Sequence, residues 1–140
     1  MKNLIIKAIF TTFLFCISNF TIAAECESFN NEISLTQIES IFQQMETKSK
    51  WNTKAELLWG YFFFDSDKEK LIKLSTQLAS EEYREVELFF NGRSYVLHIE
   101  RPEIHTPQSL ATRNAYFATL AQKNCIKTYD GFDVGPYAKK

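Results

Sequence analysis

Glycine and proline are scarce, four and three in 140 residues, and no low-complexity tract or linker of the kind they build is present. Histidine is scarcer still, with only His98 and His105. The three cysteines form no C-x-x-C pair, so neither a zinc site nor a redox motif of that spacing is expected. No serine stands in a G-x-S-x-G setting. No block of lysine or arginine forms a basic stripe, which argues against nucleic acid as a partner. The longest apolar run is too short for a membrane span, which needs about 20 residues.

The start of the chain has the order of a secretory signal. Lys2 and Lys7 are followed by an apolar stretch over residues 8–17, then by small residues at Thr21, Ala23 and Ala24. Cys16 follows the bulky Phe15, where a lipid-attachment site wants a small residue, so a lipid anchor is rejected. Residues 1–24 are therefore expected to be removed, leaving one domain over 25–140 in the periplasm or outside the cell, with no membrane attachment. The leader takes two lysines and no acids. The mature part keeps 14 basic and 17 acidic residues, a formal charge of −3. Cys26 and Cys125 survive cleavage, and an even pair in an exported protein is expected to close a disulfide.

Along the mature part, Ser34 and Gln37 have capping-box spacing ahead of Ile38, Ile41, Phe42 and Met45, which predicts a helix over 34–48. Residues 57–64, LLWGYFFF, read as a strand buried on both faces. Ser66 and Glu69 suggest a second capping box, opening a helix to about Glu81 with Leu71, Leu74 and Leu78 inward. Asn91-Gly92 between two apolar alternations predicts a hairpin with a two-residue loop. That register sets Val86 opposite Leu97, Leu88 opposite Tyr95, Phe90 opposite Arg93, Glu87 opposite Val96 and Glu85 opposite His98. Thr106-Pro107 starts a helix to about Asn124, with Leu110, Asn114, Phe117 and Ala121 on one face. Residues 129–134 make a last short strand. After the first helix the order is βαββαβ, which predicts an α+β, ferredoxin-like fold: a four-stranded antiparallel sheet, two helices on one face, and an extra N-terminal helix.

Three stretches resemble a known family: LWGYFF over 58–63, EIHTPQSLATRN over 103–114 and YDGFDVGP over 129–136. They are similar to the family of the ribonuclease E inhibitor protein B, the regulator of ribonuclease activity B. Phe132 stands where that family's ending has tryptophan. The resemblance implies a ferredoxin-like fold and a protein-binding role without catalysis or cofactor. The family's named member is cytoplasmic, binds ribonuclease E and lowers its activity. The leader directs this chain to a different protein partner.

For sites, Trp59, Tyr61 and Phe63 share one strand face and Leu58, Phe62 and Phe64 the other. One set must meet the helices. The other lies near Phe89 and His98, and the N-terminal helix is its expected cover. Left open, such an aromatic face serves protein binding before RNA binding, given the acidic charge. Possible partner-binding residues are Trp59, Tyr61, Phe63, His98, Tyr129, Asp130 and Asp133. Asp130 and Asp133 offer too few ligands for a metal. The leading expectation is an exported, non-enzymatic protein-binding domain. An immunity-type inhibitor of a periplasm-directed toxin is a specific version. A small hydrolase or ligand-binding protein using His98 and Glu85 is the rival.

Overall fold

The computed structural model describes residues 26–138, so the expected leader at 1–24 lies outside the described residues. The elements run β1 (Phe29–Asn30), α1 (Leu35–Thr47), β2 (Leu57–Asp65), α2 (Lys68–Ala79), β3 (Arg84–Phe90), β4 (Tyr95–Glu103), α3 (Pro107–Lys123) and β5 (Thr128–Pro136). The sheet order is β1-β5-β2-β4-β3. The four long strands pair antiparallel, and β1 joins the β5 edge in parallel. The expected four-stranded antiparallel sheet is thus a five-stranded mixed one. The fifth strand is two residues long, too short to leave any periodicity in the sequence.

β2 is central, as its apolar run requires. Trp59, Tyr61 and Phe63 all point to the helix side and are fully buried. Tyr61 and Phe63 meet Phe117 of α3, which also touches Tyr83 and Tyr129, so five aromatic rings form the middle of the core. Leu71, Leu74 and Leu78 of α2 and Leu110, Phe117 and Ala121 of α3 complete it. Burying each large side chain contributes about 1.5–3 kcal/mol.

The capping box of α1 forms as expected: Ser34 Oγ accepts from Gln37 N–H, and Gln37 Oε1 accepts from Ser34 N–H. α3 starts at the expected N-cap, Thr106, and Ser109 adds a capping box that was not foreseen there. α2 differs. Its N-cap is Asp67, not Ser66, and Asp67 Oδ1 accepts from Glu69 N–H at 2.9 Å. Asp65 fixes that choice by accepting from Asp67 N–H and from Lys127 N–H, which ties the end of β2 to the start of β5.

The position of α1 also departs from expectation. It packs along α3, and Phe42 stacks on Trp59 at 6.0 Å. Trp59 faces the helices, so α1 joins α2 and α3 on the same side. The second face of the sheet has no helix over it among the described residues. None of the described helices is long and apolar enough to cross a membrane.

The hairpin register is shifted. Phe90 pairs with Tyr95, Phe89 with Val96 and Leu88 with Leu97. Four residues, 91–94, make the connection. Asn91 Oδ1 accepts from the amides of Arg93 and Ser94, and Asn91 N–H donates to Ser94 C=O. This side-chain turn lengthens the loop, with Gly92 at φ +95°. A bulge at Val86 then offsets the far end, so Glu87 pairs with His98 and Glu85 with Ile99.

Cys26 and Cys125 are bonded, with Cα atoms 5.2 Å apart and a sequence separation of 99. Cys125 sits just past the end of α3 at φ +52°, where the chain turns back. Its disulfide holds the start of the domain beside the loop that leads from α3 into β5. Closing a loop of this size contributes about 4–5 kcal/mol in the chain-entropy picture.

Candidate functional site

Two places gather polar side chains, one under the sheet and one on its open face. The first is built at the end of β4. Tyr95, Leu97 and Ile99 point to the helices, and the same alternation carries Arg101 and Glu103 inward after them. Glu103 is buried and accepts from both Arg101 and Arg113 at one oxygen. Its other oxygen accepts from Tyr61 Oη at 2.9 Å and lies 3.4 Å from His105 Nε2. Tyr83 Oη donates weakly at 3.5 Å, and the Arg101 guanidinium lies over the Tyr83 ring at 4.2 Å. His105 Nδ1 is 2.9 Å from Ser109 Oγ, which links the cluster to the cap of α3, and its ring meets Trp59 edge-on.

Burial alone would raise the Glu103 pKa. Hydrogen bonds from His105, Arg101 and Tyr61 and the charge of Arg113 outweigh it and hold the carboxyl down to about 2. Burial first, then the Glu103 charge, pushes Tyr61 far above the ordinary phenol range, and Tyr83 shifts the same way. Both phenols stay protonated and act as donors. The carboxylate has a donor on every side and none of its oxygens is left to act as a base. A groove of 810 Å³ passes over this cluster, lined by Glu56, Ile104, Thr112, Arg113 and Tyr116 among others.

The second place is the sheet face away from the helices. The pairings set its side chains in rows across the strands. Thr128, Phe64, Val96 and Phe89 form one row, and Gly131, Phe62, His98 and Glu87 the next. Asp133, Gly60, Glu100 and Arg84 form the third, and Gly135, Leu58 and Pro102 the fourth. The His98 ring stacks on Phe62 at 4.3 Å. Its Nε2 is buried with no hydrogen-bond partner among the described residues and lies 4.0 Å from Asp133 Oδ1. The two side chains meet above Gly60, where a Cβ would overlap both.

The expected site residues therefore separate. Trp59, Tyr61, Phe63 and Tyr129 are buried in the core and do not reach a partner's surface. Tyr129 Oη donates to Asn114 Oδ1 at 2.6 Å. Asp130 is exposed at the join of β1 and β5, where Asn31 donates to it. His98 and Asp133 come together on the open face. The His98–Glu85 pair does not form. The Val86 bulge turns Glu85 toward α2, where it accepts from Ser75 Oγ, and Glu87 takes the place beside His98. Among the described residues no group of three His, Cys, Asp or Glu could hold a metal ion.

Residues 36–134 match the family model of the regulator of ribonuclease activity B. The chain belongs to that family. The match spans every element from α1 onward, and so takes in both the Glu103 cluster and the open face. The regulator family is a regulatory, protein-binding one. Neither the curated proteins nor the solved structures give a match.

The Glu103 cluster escaped the sequence reading, although a signal for it exists. Arg101 and Glu103 continue an apolar alternation on its inward register, and charge at a core position marks a buried network.

Proposed function

We propose that this chain is an exported, non-enzymatic member of the regulator family that binds and restrains a protein partner in the periplasm. The observation that carries the reading is the Cys26–Cys125 disulfide, the first described residue bonded to the end of α3. Such a bond persists in an oxidising compartment and is reduced in the cytoplasm. The signal-like order of residues 1–24 stands directly ahead of it. Family membership supplies the regulatory, protein-binding role.

The chemistry of the two polar places agrees. The Glu103 carboxylate is enclosed by donors and serves to lock β4 to α3. On the open face, His98 stands beside Asp133 and Glu87 rather than Glu85. Ribonuclease E is the partner of the family's cytoplasmic regulator, and export takes this chain to another one.

The test is affinity capture from a periplasmic extract with the oxidised mature domain as bait. A protein enriched over a disulfide-bonded control domain is expected. No enriched protein across several growth conditions overturns the proposal.

A further inference from the structure

We propose that the open face of the sheet is the docking surface, and that the partner segment it fits carries a basic side chain between apolar ones. This rests on the protein-binding reading above and names the surface and the partner's chemistry.

Charge points to a cation. The ionisable groups within its paired rows are Glu87, Glu100, Asp133, Arg84 and His98, while Arg93, Lys127 and Asp130 border its Phe64–Thr128 end. Arg84 and Glu100 neutralise each other in an ion pair. Glu87 is exposed and has no ion pair among the described residues, and the Asp133 side chain is 60% exposed. Two acids thus flank His98, one from each side of the sheet. A phosphate backbone is repelled by this arrangement, so nucleic acid is the wrong occupant.

The centre of the face lacks a donor. Among the described residues His98 Nε2 is buried without a partner, and Asp133 Oδ1 is 4.0 Å away, too far for a direct hydrogen bond. An ammonium or guanidinium placed between them donates to both, with His98 carrying its proton on Nδ1. Gly60 keeps the floor of that spot low, since any side chain there would take the space of both groups.

Apolar rows lie on either side. Phe64 and Phe89, the latter 41% exposed, form one flank beside the buried Val96, and the half-buried Leu58 and Pro102 form the other. Rows on a sheet are about 7 Å apart along the strands, the spacing of alternate residues in an extended chain. Four rows therefore match alternate residues of a seven-residue extended segment, apolar at both ends and basic at one of the two inner positions. Aromatic anchors around a satisfied charge are the usual make-up of a binding hot spot.

The test has two parts. In the first, the peptide Phe-Ser-Arg-Ser-Ser-Ser-Leu is titrated into the isotope-labelled, oxidised domain, and the same peptide with Glu in place of Arg is the control. The shifts are expected at Phe62, Phe89, His98 and Asp133 for the Arg peptide alone. Equal binding of both peptides, or shifts confined to the helix side, overturns the proposal. In the second, capture from periplasmic extract is compared between wild type, the double variant Glu87→Lys with Asp133→Lys, and the helix-side control Glu39→Lys, each checked for native circular dichroism. A protein retained by wild type and control but reduced at least tenfold on the double variant supports the proposal. A protein retained equally by all three overturns this surface and leaves the protein-binding role standing. No protein on any bait overturns both, and retention of nuclease-sensitive material overturns the choice of a protein occupant.

Discussion

Glu103→Gln keeps the side chain's shape and removes its charge, which makes it the sharpest probe of the buried cluster. Two guanidiniums, two phenols and His105 converge on this carboxylate. They hold its pKa at about 2 against an ordinary 4.5. That difference corresponds to about 3 kcal/mol of native-state stability at neutral pH. The direction follows from the depressed value. The contribution is complete above the unfolded carboxyl's pKa and is lost as pH falls from about 4.5 through about 2. Urea unfolding at pH 7 should show the variant less stable by about 3 kcal/mol, within the range expected when one partner of a buried ion pair is removed. Repeated between pH 5 and pH 2.5, the gap between wild type and variant should shrink. A variant within about 1 kcal/mol of wild type at pH 7, or a gap that stays constant with falling pH, would refute the electrostatic account.

Replacing Cys26 and Cys125 together by Ala should lower stability by about 4 kcal/mol under oxidising conditions and leave it unchanged relative to reduced wild type, read by thermal unfolding with and without reductant. Phe117→Ala removes the ring that touches Tyr61, Phe63, Tyr83 and Tyr129, and should cost about 3–5 kcal/mol in a denaturant melt. Thr106→Ala deletes one half of the α3 capping box and should cost about 1 kcal/mol by the same assay. Gly60→Ala sets a Cβ against the exposed Asp133 tip, which can swing away, and against the His98 ring, which is held on Phe62; stability should fall by about 1–3 kcal/mol in a denaturant melt, and partner capture with it.

The elements whose making is local were legible in the sequence. Ser34 with Gln37 and Thr106 with Pro107 announce two helix starts because capping acts within three residues. The run at 57–64 is central because a strand flanked on both edges and packed beneath helices needs apolar groups on both faces. Cys26 and Cys125 pair, as the even count outside the expected leader led one to expect. What was hidden depends on groups distant in sequence. Asp65 draws on Lys127 and so moves the α2 cap to Asp67. The Asn91 side chain closes a longer loop than its Asn-Gly pair suggests, and the Val86 bulge exchanges Glu85 for Glu87 beside His98. Of the expected site residues, the aromatic ones on the inward face of β2 went to the core with Tyr129. Strand parity names two faces without saying which the helices take. The side taken by α1 was equally unreadable, since its apolar stripe fits either face of the sheet.

Intact mass spectrometry of the protein from its native cell bears most directly on an exported, disulfide-closed regulator. The account predicts a chain that begins close after Ala24 and weighs two hydrogens less than its fully reduced form. A molecule that retains Met1 in the cytoplasmic fraction, with the thiols of Cys26 and Cys125 both free, would contradict it.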